Sequence, residues 1–297
     1  MSVFRKAERR KAKLRLAITG PAGSGKTYGA LLIALGLEGK IAVIDTENGS
    51  ANLYAHLGDF DTCQLTPPFD PRKYIQTIHE AENEGYNVII IDSLSHEWAG
   101  EGGSLSLQGK IANTKYRGNT YAAWRDVTPL HDALIQTILA SPCHIIATMR
   151  SKTDYANDNG KPIKVGLAPV QRDGMDYEFS LVFDLNNEHT VTVSKDRTSL
   201  FDGQSFSLSP EVGSKLLEWL NSGKDIPDVR ELNERKQCIY REYLARFNGN
   251  AQEAQNAILA VTQGRGSKDW TVDDLNALQV ALDARNTPEE LPKAVNL

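Results

Sequence analysis

The chain has 297 residues, 40% hydrophobic and 24% charged, with a formal net charge of −5. That is the composition of an ordinary soluble globular protein, large enough for one big domain or a big domain and a small one. No apolar run approaches the roughly 18–20 residues a membrane span needs, and the basic N-terminus lacks the apolar stretch of a signal peptide. Neither membrane insertion nor export is expected, and the expected compartment is the cytoplasm. Cys63, Cys143 and Cys238 are far apart and lack metal-type spacing, so they read as ordinary thiols in a reducing environment. The charge is uneven. Residues 1–15 carry Arg5, Lys6, Arg9, Arg10, Lys11, Lys13 and Arg15 against Glu8. A cationic arm of this kind either contacts nucleic acid or an acidic neighbouring subunit, or is a solvated tail.

In chain order, LRLAITG (14–20) reads as a short buried strand, TYGALLIALGL (27–37) as an apolar helix stopping near Gly39, and IAVID (41–45) as a second strand. RKYIQTIHEAENEG (72–85) is an amphipathic helix with Tyr74, Ile75 and Ile78 on one face. NVIIID (87–92) is apolar without alternation, as a parallel strand buried on both faces should be. A helix over 129–140 and a strand over 143–149 follow, and then LVFDL (181–185) and HTVTVS (189–194) form a terminal hairpin. Strands alternating with helices imply βαβ units and a mostly parallel sheet. SPEVGSKLLEWLNSG (209–223) is a helix with Ser209 as N-cap and Pro210 in its first turn. After a linker at IPD (226–228) the pattern turns purely helical: 229–247, 250–262, and 271–284 capped by Thr271. The expected organisation is a basic arm (1–13), an α/β core (14–225) and a small helical module (228–290).

GPAGSGKT (20–27) matches G-x-x-x-x-G-K-[ST] in full and lies between a strand and a helix, as that motif's mechanism demands. Gly20, Gly23 and Gly25 let the backbone around Pro21, Ala22 and Ser24 curl so that its N–H groups face the phosphates of a nucleotide. The N-terminus of the following helix, with Thr27 and Tyr28 in its first turn, adds to that field. Lys26 would reach the β- and γ-phosphates, and the Thr27 hydroxyl would bind Mg²⁺. Asp92, ending the buried strand IIID, supplies the carboxylate that holds the same ion. In VIDTEN (43–48), Asp45 and Glu47 sit at the end of the strand after the loop helix, on one side of the chain. Either could polarise an attacking water, or the pair could simply cap a strand end. ATP and Mg²⁺ are the expected ligands.

These motifs together resemble the RecA-like recombinase core, and within it the phage-encoded, core-only ATPases, some of which act with single-strand annealing systems. GPAGSGKT, IDTE and IDS occur in that family's order. SLSHEWAGEGGSL (93–105), AWRDVTPLH (123–131) and HIIATMRSKTDY (144–155) resemble further blocks of it, so the likeness spans roughly residues 4–205. The resemblance implies a P-loop NTPase fold, a water-activating role for Glu47, and a phage protein working in the host cytoplasm. It also implies that Lys195 and Arg197 of VTVSKDRTS (191–199) reach a neighbouring subunit's nucleotide, since RecA-like rings and filaments commonly carry such a cation pair there. FRKA (4–7) resembles a Phe-x-x-Ala tether between subunits. One departure stands out: the polar Asn-Gln pair that in RecA senses the γ-phosphate is replaced here by Thr148 and Met149, with Arg150 and Lys152 as candidate substitutes.

Two long insertions carry cations. Residues 96–125 place Lys110, Lys115, Arg117 and Arg125 among Trp98, Tyr116, Tyr121 and Trp124, and residues 151–174 hold Lys152, Lys161, Lys164 and Arg172. Cations interleaved with rings suit single-stranded DNA, although the tryptophans could equally be core. The mixed charges of the first C-terminal helix suit a solvent face, while GSKDWTVDDL (266–275) resembles tails of phage recombination proteins, implying a module that docks a single-strand binding protein or another recombination partner. The leading expectation is a DNA-stimulated ATPase that self-assembles as ring or filament. The alternatives are a nucleotide-gated scaffold or loader, a helicase or packaging motor, and a small-molecule P-loop kinase, which the IDTE strand disfavours.

Overall fold

The computed structural model describes residues 6–158, 161–224 and 229–284. The chain forms two compact units, one up to Lys224 and one from Asp225.

The first unit begins with β1 (Arg15–Gly20), fully buried, and α1 (Lys26–Gly36). β2 (Ile41–Asp45) is followed by a 3₁₀ turn at Ser50–Leu57 and a short exposed strand, β3 (Asp61–Gln64). α2 (Pro71–Asn83) is capped by Asp70, whose carboxylate accepts from the Arg72 N–H. β4 (Val88–Asp92) is buried along its length. Three helices then fill the first insertion: α3 (Ser95–Ala99), α4 (Ser104–Lys115) and α5 (Thr120–Ala140). β5 (His144–Asp158) turns back as β6 (Lys161–Pro169), and β7 (Leu181–Leu185), β8 (Thr190–Asp196) and β9 (Ser205–Ser207) lead to α6 (Pro210–Asn221).

The sheet runs β3-β2-β4-β5-β1-β7-β8-β9, with β6 paired to β5 alone. Every pairing from β3 to β7 is parallel, and β8 and β9 close the edge antiparallel. Both faces are covered, which is why the central strands are apolar without alternation. Leu16, Ile18, Val43, Ile90 and Ile146 meet α1 and α6 on one face, and Ala17, Ile44, Ile89, Ile91 and Ile145 meet α2 and α5 on the other. α1 and α6 cross at Gly36 and Gly213, where any Cβ on Gly36 would overlap the Pro210 carbonyl oxygen. The result is an α/β fold with a mostly parallel nine-stranded sheet flanked by helices, that of a P-loop NTPase.

Several local expectations change. The first insertion is helical: α4 lies within it, and α5 begins there because Asn119 caps it by accepting from the Ala122 N–H and buried residues recur at 123, 127, 131, 134 and 138. α5 therefore starts nine residues before the expected position and runs through Pro129, which is exposed, so the carbonyl it leaves unbonded can face water. The second insertion is the β5–β6 hairpin. Ser209 occupies the N-cap position of α6 but makes no side-chain cap bond. Part of the basic arm is docked rather than free: Lys11 N–H donates to the Lys224 carbonyl, Ala12 N–H to that of Leu220, and the Arg9 guanidinium lies 4.1 Å from the Trp219 ring centre. Phe4 and Arg5 of FRKA lie outside the described residues.

The second unit contains α7 (Val229–Arg246), α8 (Ala251–Val261) and α9 (Val272–Asp283) around Ile239, Tyr243, Ile258, Trp270, Leu275 and Leu278. Thr271 and Asp274 form a capping box at the start of α9. The linker expected at 226–228, and the residues after Ala284, lie outside the described residues. Among the described residues no helix is long and apolar enough to cross a membrane.

Candidate active site

At the carboxyl end of β1 the chain turns through Pro21–Gly25 into α1. Gly23 (φ 79°) and Gly25 (φ 87°) take the left-handed conformation that closes this loop without a Cβ penalty. The Ser24 hydroxyl is buried within the loop with no hydrogen-bond partner among the described residues. Lys26 folds back over the loop, its Nζ donating to the carbonyls of Gly20 at 2.9 Å and Pro21 at 2.7 Å. Burial pulls its ammonium below the ordinary lysine range, while the charges of Asp92 and Glu47 act the other way. Tyr28, 40% exposed, meets Tyr54 edge-on at 5.5 Å. From the β7–β8 turn, His189 lies over Gly25, its Nδ1 3.0 Å from the Ser24 carbonyl oxygen.

Parallel register brings the ends of β2, β4 and β5 alongside the loop. Thr27 Oγ1 donates to Asp92 Oδ2 at 2.6 Å, and Thr148 Oγ1 donates to the other oxygen. Asp92 is 2% exposed and makes no ion pair among the described residues. Burial pushes its carboxyl above the ordinary range against the two threonine hydrogen bonds. A buried carboxylate beside a hydroxyl, in no ion pair among the described residues, is a hard-oxygen pair of the kind Mg²⁺ takes, so these residues fit that ion. No group of three or more His, Cys, Asp or Glu that could hold a metal occurs among the described residues. The remaining donors would therefore be phosphate oxygens and water.

The two acids of VIDTEN separate cleanly. Asp45 is spent on the backbone, accepting from the N–H groups of Glu47 (2.7 Å), Gly49 (3.3 Å) and Ala51 (3.0 Å). It is the strand-end cap. Glu47 holds side chains instead. Its Oε1 accepts from Ser93 Oγ at 3.1 Å and from Arg150 Nε at 2.9 Å, and Arg150 Nη2 donates to Oε2. Burial raises its carboxyl, but the hydrogen bonds and charge of Arg150, with His96 and Ser93, outweigh that and hold it below the ordinary range. The Asp92–Ser93 peptide is cis. Thr46 links the same layer, with its Oγ1 2.7 Å from His96 Nδ1 and accepting from the Ser93 N–H.

The other expected site residues lie apart from this cluster. Lys195 is tied within its own chain, Nζ donating to the carbonyls of Asp176 (2.9 Å) and Tyr177 (2.6 Å). Arg197 is exposed, and its guanidinium makes no hydrogen bond or ion pair among the described residues. Around α3 to α5, Trp98 stacks on Trp124 at 5.4 Å, and with Tyr116, Tyr121, Arg125 and Arg172 they line an open groove of about 800 Å³. Tyr121 is 88% exposed. Lys115 is paired with Asp126 at 2.7 Å, whereas Lys110, Arg117 and Lys152 are exposed. The side chains of Lys161 and Lys164 lie outside the described residues. Behind the groove, fully buried Glu97 accepts from Ser104, His131 and Gln171.

The grip of Thr148 on Asp92, the Arg150 fork on Glu47 and the approach of His189 to the loop are not among the contacts expected from the sequence. The first two depend on β5 lying next to both β1 and β4, and strand order is not encoded in local pattern. His189 had a weak local signal, the polar turn NNEH between two strands.

The fold is that of the P-loop NTPases. Residues 12–209 match a family model described as an AAA domain, and the chain belongs to that family. Membership points to nucleotide-dependent ATPase activity, typically with Mg²⁺. No curated protein matches the chain.

Proposed function

We propose that the protein is an Mg²⁺-dependent ATPase with a RecA-like core that assembles with copies of itself on single-stranded DNA, in phage recombination, annealing or replication. The observation that carries the hydrolytic part is the convergence of the ends of β2 and β4 on the start of α1: Thr27 bonded to Asp92, and Glu47 bonded to the adjoining Ser93. Lys26 would turn from the Gly20 and Pro21 carbonyls onto the β- and γ-phosphates. Thr27 and Asp92 would hold Mg²⁺, which when bound neutralises phosphate charge. Glu47 would orient a water toward the γ-phosphorus. The new bond is from water oxygen to phosphorus, the bond from phosphorus to the bridging oxygen breaks, and the bridging oxygen leaves on ADP. The water proton passes to Glu47 and then to solvent.

Self-assembly is supported by Arg197, an exposed cation without a partner among the described residues, which is what a residue completing a neighbour's site requires. Lys195 would have to leave its own carbonyl partners to join it. DNA contact is supported by the groove, where stacked tryptophans and an exposed Tyr121 stand beside Arg125 and Arg172. A nucleotide-gated scaffold is the second reading, favoured by the Arg150 fork that occupies Glu47. Steady-state ATPase measured with and without single-stranded DNA, over a range of protein concentrations, tests the proposal. Turnover per subunit should rise with both. A response flat in both would remove the assembly and DNA parts, and no turnover at all would favour the scaffold.

A further inference from the structure

The Arg150–Glu47 pair has a feature that simple base catalysis does not need. The guanidinium fork covers both carboxylate oxygens, and Ser93 adds a third donor. A carboxylate bonded in this way is poorly placed to accept from an attacking water. Arg150 also sits directly opposite Gly20, the first residue of the phosphate loop, in the β1–β5 register. Its backbone is fixed, with N–H donating to Ser95 Oγ at 2.9 Å and the carbonyl accepting from Val170 N–H at 2.6 Å. Only the side chain is left to move. Its charge is felt by Lys26, the loop's own phosphate-binding cation, so the two cations border one space.

We propose that Arg150 exchanges partners during turnover, leaving Glu47 for the γ-phosphate when a nucleoside triphosphate binds and thereby releasing Glu47 to water. This rests on the hydrolytic reading above. A planar guanidinium matches a carboxylate and a phosphate with the same two-pronged geometry, and the γ-phosphate carries the greater negative charge. A diphosphate lacks that group and leaves the fork on Glu47. Arg150 thus makes the base available only when its substrate is present. It is also the residue at which β5 leaves the central sheet and enters the β5–β6 hairpin, whose first pair is Ser151 with Pro169.

The test is equilibrium binding of a fluorescent ADP and of a fluorescent non-hydrolysable ATP analogue, with Mg²⁺, to the wild type, Arg150→Ala, Arg150→Lys, Glu47→Ala and the Arg150→Ala/Glu47→Ala double variant. Thermal melting confirms that each is folded. Arg150→Ala should bind ADP as the wild type does and lose about tenfold of the preference for triphosphate. Arg150→Lys, which keeps the charge but not the fork, should fall between. Glu47→Ala should bind the triphosphate more tightly because no carboxylate competes for Arg150, and that gain should vanish in the double variant. A gain that persists in the double variant reports charge repulsion by Glu47 alone and overturns the exchange, as does an unaltered triphosphate preference in Arg150→Ala. Glu47→Gln turnover separates the two claims. Turnover at the wild-type rate sinks the hydrolytic reading itself, whereas an inert Glu47→Gln beside an unaltered Arg150→Ala sinks only the exchange.

Discussion

His144 opens β5 at 5% exposure, with its Nδ1 accepting from the Leu14 N–H at 3.0 Å. Burial, and then the charges of Lys13 and Arg15, lower its pKa to about 4. The folded protein therefore keeps this imidazole neutral where the unfolded chain, at about 6.5, takes up a proton. Between those values the unfolded state binds more protons, so stability rises with pH and is lost as pH falls through the window. A shift of about 2.5 units at about 1.36 kcal/mol each is roughly 3 kcal/mol in full, of which about 2 kcal/mol is already lost near pH 5. His144→Asn keeps an acceptor near the Leu14 amide and removes the titration. Urea unfolding across this pH range should show the wild type losing about 2 kcal/mol more than the variant between pH 7.5 and 5. Parallel pH profiles would show that His144 does not carry this dependence.

Arg15 is buried, and its guanidinium donates to the carbonyls of Leu14, Cys143, Leu139 and Ser141, tying the end of α5 to β1. Arg15→Met would leave those carbonyls without their donor and should cost about 3 kcal/mol or more in denaturant unfolding. Gly36→Ala forces a methyl into the α1–α6 crossing and should destabilise by about 1–3 kcal/mol, read as a lower melting temperature. Tyr121→Ala removes an exposed ring from the groove. It should weaken single-stranded DNA binding by about 1–3 kcal/mol in a fluorescence titration while leaving the melting temperature unchanged.

Most of the core was legible because its signals are local. A glycine loop between a strand and a helix, and strands such as VIIID without alternation, each imply their own burial. The strand order was not legible, and the hydrogen bonds around Glu47 depend on it. Arg150 stands 103 residues from Glu47 and meets it only because β4 is flanked by both β2 and β5. Residues 96–125 failed for a different reason. α4 buries only Ser104 and Ala112 and so shows no apolar stripe, while α5, whose buried residues do recur at helical spacing, contains Pro129, a residue that ordinarily ends a helix. Asp45 and Glu47 could not be told apart by alternation, which places them alike. Only the backbone amides that Asp45 collects distinguish them.

In the proposed mechanism Glu47 activates water for attack on a bound ATP. The most direct measurement is single-turnover ATP hydrolysis by Glu47→Gln, beside its equilibrium affinity for ATP. Binding should survive within a few-fold while the hydrolysis rate falls by about two orders of magnitude or more. Hydrolysis at the wild-type rate, with binding intact, would contradict that mechanism.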